Sequence, residues 1–236
     1  MYRHLGKNRT IKHNIKIAVI LSFVAGIVNV VGFLSIHQLT TNVTGHFALF
    51  INDVANFKFW EGIIYIIYIF FFMLGSFTSS IFIEKFKSSK TNIFPILVLF
   101  EAFLLILVAS IFNTINNYHI IASIMLFAMG FQNSYVSKIS NTLVRTTHLT
   151  GLFTDLGIDL SYLFFAEHIQ NKTKLLASIK LRSYIILFFF FGGLIGGFFF
   201  SELNFGIYTL LISAIILVGS AFYDSLKYQY LKYTRK

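Results

Sequence analysis

Six stretches of this 236-residue chain, at residues 17–36, 59–83, 93–112, 119–138, 183–201 and 205–222, are each long and apolar enough to cross a bilayer as a helix. In lipid every backbone N–H and C=O must be paired internally, so only helices and closed barrels can span it. Runs such as Ile63 to Leu74 and Ile185 to Phe191 are apolar on every face instead of alternating, which excludes a barrel. With 56% hydrophobic residues, 12% charged residues and 30 Phe, the chain is too apolar for a soluble domain of this length. The expected fold class is therefore an all-α integral membrane protein. The first stretch follows a basic segment as a signal peptide would, but it lacks a small-residue cleavage pattern and reads as a retained helix. The absence of Cys excludes disulfides, thiol catalysis and Cys-ligated metal.

A formal charge of +10 could point to nucleic acid, so the placement of the basic residues decides. Arg3, Lys7, Arg9, Lys12 and Lys16 precede the first span; Lys85, Lys87 and Lys90 follow the second. Lys138, Arg145, Lys172, Lys174, Lys180 and Arg182 lie between the fourth and fifth, and Lys227, Lys232, Arg235 and Lys236 follow the sixth. With six crossings all of these share one side, and Lys58 alone falls on the other. The positive-inside rule then places both termini in the cytoplasm, and a bacterial inner membrane is the expected location. The charge is topological, and no aromatic-basic surface for nucleic acid appears.

The chain also repeats itself. Thr40-Thr41-Asn42-Val43-Thr44-Gly45-His46-Phe47 matches Thr146-Thr147-His148-Leu149-Thr150-Gly151-Leu152-Phe153, and at the same offset Asp53 falls on Asp159. After a two-residue slip, Gly26 and Asn29 fall on Gly130 and Asn133. Each copy comprises three spans with the polar motif between its first and second. Because three is odd, the second copy enters the membrane in the opposite direction. The expected architecture is a 3+3 inverted-topology repeat: a basic segment at 1–16, repeats at 17–112 and 119–222, and a basic tail at 223–236.

Treating residues 39–57 and 147–166 as two further crossings would move Lys85, Lys87 and Lys90 outside. It would also bury Asp53, at ~2.5 to 3.5 kcal/mol for a central Asp. The motif segments are instead expected as short re-entrant or interfacial helices. Thr44 or Asn42, and Thr150 or Thr147, are the candidate caps, with helices running toward Asn56 and Ala166. If the two dip in from opposite sides, their N-termini meet near the midplane and present partial positive charge and hydroxyls, which favours an anionic or strongly polar solute. Asp155, read in the first turn of the second motif helix, would compete for that positive end.

The candidate solute-binding residues are Asn29, Thr41, Asn42, Thr44 and Gly45 from the first copy, and Asn133, Thr147, His148, Thr150 and Gly151 from the second. Asn29 and Asn133 sit within their spans, where an amide either binds something or bonds across to another segment. Asp53, Asp155 and Asp159, together with Glu101 inside the third span, are candidates for cation or proton coupling. His46 and His148 are not at equivalent positions, and no metal site is expected. Gly192, Gly193, Gly196 and Gly197 form small-xxx-small patterns, and Gly75 with Ser79 forms another that aligns with Gly193 and Gly197 when Glu84 is set on Glu202. These mark close packing, expected between the halves. Pro95 falls in the first turn of the third span, where it is tolerated.

Gly26-x-x-Asn29-x-x-Gly32-Phe33-Leu34, Thr41-Asn42-x-Thr44-Gly45, and Arg145-Thr146-Thr147-His148-Leu149-Thr150-Gly151 with Thr154-Asp155-x-Gly157 together resemble the YoaK-like family of bacterial membrane proteins, also called DUF1275 or UPF0700. The resemblance runs from about residue 17 to 222 and implies a multi-pass membrane protein, without a substrate or reaction. The resemblance implies an acidic residue as the usual one at this position, so Asn29 is a departure that speaks against a proton-linked role there.

The leading functional expectation is a small secondary transporter for a polar or anionic solute, sited between the halves. The alternative is a passive channel or membrane scaffold using the same polar pairs for helix packing. No nucleophile elbow, zinc-binding helix motif or cofactor loop is present, so neither an enzyme nor a cofactor is expected. The partners expected are the bilayer and an unidentified small solute, and the short chain leaves room for a homodimer.

Overall fold

The computed structural model is all-helical, with no strand among the described residues, which are 2, 9–87, 92–115, 117–165 and 171–233, the last ten as backbone. Expectations resting on Arg3, Lys7, Lys90, Arg235 and Lys236, on the side chains of Lys227 and Lys232, and on a motif helix reaching Ala166 lie outside the described residues.

In chain order the helices are α1 (Ile11–Ile36), α2 (Val43–Ala55), α3 (Phe59–Lys85), α4 (Phe94–Ile111), α5 (Tyr118–Ile139), α6 (Leu149–Tyr162) and α7 (Lys172–Ser201), then a 3₁₀ turn (Gly206–Thr209) and α8 (Leu210–Tyr233). Six of these have the length and apolar character of membrane spans: α1, α3, α4, α5, α7 and the segment Gly206–Tyr223. The other two, α2 and α6, have 13 and 14 residues. At 1.5 Å per residue they reach only about 20 Å, short of a hydrocarbon core of ~30 Å.

Three boundaries differ from the sequence expectation, one of them the end of α8, which runs to Tyr233 through most of the expected basic tail. Helix α7 starts at Lys172, so Lys172, Lys174, Lys180 and Arg182 belong to the helix and not to a link. Helix α1 likewise starts at Ile11. An apolar stretch marks only the length in contact with lipid, whereas a helix continues until something ends it. At the start of α7 that is Asn171, whose side chain accepts a bond from the Lys174 N–H at 3.0 Å. Pro95 lies in the first turn of α4, where its missing N–H has no helical partner to lose.

Helix α1 packs on α7, α3 on α5 and α4 on α8, while α2 lies on α3 and α6 on α7. Helices α1 and α5 are the most enclosed; α3 and α7 turn most of their surface outward. Phe70, Phe77, Phe190 and Phe198 are at least half exposed on those outer faces. In lipid an outward phenylalanine carries no hydrophobic penalty, which accounts for a Phe count no soluble chain of this size would carry on its surface.

Glycines set the two tightest crossings. Gly26 of α1 lies against the Phe189 carbonyl of α7, and Gly192 of α7 against the Phe23 carbonyl of α1. Gly75 of α3 meets the Phe127 carbonyl of α5, and Gly130 of α5 meets the Phe72 carbonyl of α3. At all four a Cβ would sit less than 3.0 Å from backbone, so only glycine permits the approach. This corrects the alignment of Gly75 with Gly193. Gly75 and Gly192 make the corresponding contacts, whereas Gly193 and Gly197 face the Val30 side chain. The carboxylate match misled by one residue: Glu84 bonds Lys138 at 2.8 Å and Lys87 at 3.2 Å at its helix end, and that pairing does not set the crossing.

Candidate functional site

Both motif segments double back against the span that precedes them. Helix α1 ends on His37 in the left-handed conformation, which reverses the chain. Thr40 then packs its methyl on Gly32 and donates its hydroxyl to the Val28 carbonyl at 3.3 Å. Thr41 donates to the Asn29 side-chain oxygen at 2.8 Å. After α5, Asn141 and Thr142 take left-handed conformations and turn the chain in the same manner. Asn133 donates to the Thr147 hydroxyl, and the buried Gln132 donates to Thr146 at 2.8 Å and to the Leu21 carbonyl of α1 at 3.0 Å. Asn29 lies seven residues before the end of α1 and Asn133 six before the end of α5. The reversed segments therefore reach about 10 Å below those helix ends. Their threonine hydroxyls take the amides that would otherwise sit unpaired between helices.

From these bonds the short helices start. The Asn42 side chain caps α2, accepting from the Gly45 N–H at 3.0 Å, as expected. Helix α6 differs: its N-cap is His148, not Thr147 or Thr150, and no side-chain bond closes its first turn. A Cβ on Gly151 would collide with the His148 side chain, and one on Gly45 would press tightly on that of Asn42, so each glycine lets the cap residue lie across the first turn.

The two helix starts open onto one cavity of about 880 Å³. Asn29, Thr41, Asn42, Thr44 and Gly45 line it from one copy of the motif, and Asn133, Thr147, His148 and Thr150 from the other. Gly151, the tenth sequence candidate, sits one residue away beneath the His148 ring. Ser137, Arg145, Phe72 and Phe189 also line it, with Leu39, Val43, Ala48 and Leu149, and none of these was among the sequence candidates. Phe72 and Phe189 are the residues whose carbonyls receive Gly130 and Gly26, so the crossings and the cavity share walls. Arg145 stands directly before the second motif but reads from sequence as a topological charge. An apolar groove of about 390 Å³ between Phe82, Ile96, Phe100 and Phe131 has no polar side chain in its lining among the described residues and suits an acyl chain or another hydrocarbon.

The four coupling candidates all lie off the cavity lining. Asp53 ends α2, beside Asn52 and Gly62. Asp155 and Asp159 both turn to Arg182 of α7, Asp155 at 3.3 Å, and so tie α6 to α7. The expectation that Asp155 occupies the α6 N-terminus is overturned. It is seven residues into the helix, beyond the first turn, and faces α7. Glu101 is fully buried in α4, where one oxygen accepts from the Tyr135 hydroxyl of α5 and the other has no partner among the described residues. Replacing Glu101→Gln keeps an acceptor for Tyr135 and is expected to hold the melting temperature of the purified protein near wild type. Glu101→Leu strands that hydroxyl and is expected to cost ~1 to 3 kcal/mol, read as a clear drop in Tm. His46 is buried with Nε2 at 2.9 Å from the Leu39 carbonyl and its ring stacked on Tyr65, as a packed core histidine.

The chain is 29% identical over 180 residues to the UPF0700 transmembrane protein YoaK of Bacillus subtilis (strain 168), an alignment covering 72% of this chain and 76% of that protein. No solved structure matches it. The family model described as "Protein of unknown function (DUF1275)" matches residues 17–223, the segment that holds both motifs, the cavity lining and all of the spans except the first six residues of α1. This chain is a multi-pass membrane protein, and it belongs to the DUF1275 family.

Proposed function

We propose that the protein is a small secondary transporter for a polar or anionic solute, with its site between two inverted three-span halves. The observation that carries this reading is the single cavity on which both motif helices and both span amides converge. The inverted relation draws support from the crossings. Gly26 on Phe189 matches Gly130 on Phe72, and Gly75 on Phe127 matches Gly192 on Phe23, as if the roles of the halves were exchanged. On this reading the motif helices are re-entrant, coming from opposite sides of the bacterial cytoplasmic membrane with both termini inside. Discontinuous helix starts facing a midplane cavity are a recurrent way to hold a solute during alternating access. Its partners are then the bilayer and the solute, and the exposed phenylalanine faces of α3 and α7 leave room for a second copy.

A second reading, a one-sided pore or scaffold, is favoured by one fact: Asn29 with Thr41, and Asn133 with Thr147, already satisfy each other without a ligand. The chain contains no Cys, so single cysteines at Thr41 and Thr147 distinguish the two. Each is labelled from each side in turn with a membrane-impermeant thiol reagent, with and without a pH or ion gradient. Both sites labelling from both sides, in gradient-dependent proportion, is the expected result. Labelling from one fixed side, or none, would sink the transporter and leave the pore or scaffold.

A further inference from the structure

The cavity is electrically one-sided. Among the described residues, Arg145 is the one Lys or Arg in its lining, and no Asp or Glu lines it. The Arg145 side chain is exposed and forms no ion pair or hydrogen bond among the described residues. Of the described acidic side chains, Asp155 and Asp159 face Arg182 and Glu101 faces Tyr135, and none of the three lines the cavity. Arg145 is also not at the end of a loose loop. The next residue, Thr146, is fully buried and held by Gln132, which reaches the α1 backbone at Leu21. The starts of α2 and α6 add partial positive charge to the same space, and the Thr44 and Thr150 hydroxyls add donors.

Resting on the solute-site reading above, we infer that the cavity selects a small oxyanion, a carboxylate or phosphate, and that Arg145 is the residue that recognises its charge. A guanidinium presents two parallel N–H donors to two oxygens of such a group; a cation is repelled there, and an uncharged polyol can accept the bonds but brings no charge to strengthen them. The cavity floor of amides and hydroxyls would take the remaining oxygens.

The test reads binding and does not require transport. A single cysteine at Ser137, in the cavity wall, is alkylated in phosphatidylcholine nanodiscs with and without inorganic phosphate, lactate, glycerol or choline. Phosphate or lactate is expected to slow alkylation, with glycerol and choline without effect. Arg145→Gln is expected to weaken that protection ~10- to 100-fold, and Arg145→Lys to restore part of it. Because Arg145 has no protein partner among the described residues, an unchanged Tm should accompany its loss. Protection by glycerol or choline, protection by no probe, or oxyanion protection unaltered in a folded Arg145→Gln variant would each overturn the inference. Protection that appears in phosphatidylglycerol nanodiscs without added anion would assign the site to a lipid headgroup and overturn the solute. Oxyanion protection with fixed one-sided labelling of Thr41 and Thr147 would retain this inference and remove only the transporter.

Discussion

Gly130→Val is expected to abolish folded protein. Its Cβ would fall on the Phe72 backbone of α3, less than 3.0 Å from the carbonyl oxygen, and a backbone carbonyl has no rotamer by which to withdraw. The helices must separate, and with them go the contacts that hold α3 on α5 along their length. Ordinary overpacking costs ~1 to 3 kcal/mol because side chains yield; here none can, so the loss lies at or above that range. Since Phe72 also lines the cavity, a variant that survived would carry a displaced wall. Gly26→Val is expected to do the same to α1 and α7, where the obstacle is the Phe189 carbonyl. Gly219→Ala and Gly157→Ala are the controls, since a Cβ there meets nothing within 4 Å. They should hold or slightly raise Tm, as alanine is the better helix former. Size-exclusion profiles in detergent and thermal unfolding read all four. A Gly130→Val protein that elutes and melts like wild type would mean that α3 and α5 do not cross as described.

Arg182→Gln is expected to release α6 while leaving the bundle assembled. The guanidinium faces both Asp155 and Asp159, and the Asp159 side chain is only 14% exposed. Removing the cation leaves that carboxylate without its counter-charge in a site that water reaches poorly. Breaking a fully buried pair in this way costs ~3 to 5 kcal/mol. Asp155 is 51% exposed and contributes little, so the total here is closer to ~2 kcal/mol. Hydrogen exchange should rise across 149–162 with protection in α1 and α5 unchanged, and Arg182→Lys should fall between. Lys87→Gln is the comparison: its pair with Glu84 is exposed on both sides, and its loss should shift nothing measurable. Equal exchange in α6 of wild type and Arg182→Gln would show that the pair does not hold that helix.

How far the sequence could be read differs from element to element. The six spans were legible because crossing lipid imposes about 20 apolar residues per helix, a property of a local window. The motif helices were legible as starts from Asn42, Gly45 and Gly151, since a cap and a permissive glycine are local chemistry. Their ends and caps were less so. His148 caps α6 by position without a side-chain bond, and a histidine carries no capping signal. Nine of the ten candidate binding residues line one cavity; the duplicated motif marked seven of them, and the slipped alignment of the preceding spans marked Asn29 and Asn133. Phe72 and Phe189 were invisible among the many phenylalanines, and Arg145 was absorbed into the charge bias that sets topology.

The sequence by itself determined the helical class, the number of helices long and apolar enough to span, and the polar segments that interrupt the apolar chain. Those follow from what each short window can do in lipid. The tertiary structure alone decided which glycines cross, that Asp155 faces Arg182 and not the α6 N-terminus, and that both motifs open on one cavity with Arg145 in its wall. A shift of one residue turns a helix face by about 100°. Pairing such as Gly75 with Gly192 therefore becomes readable only when segments distant in the chain are brought into register.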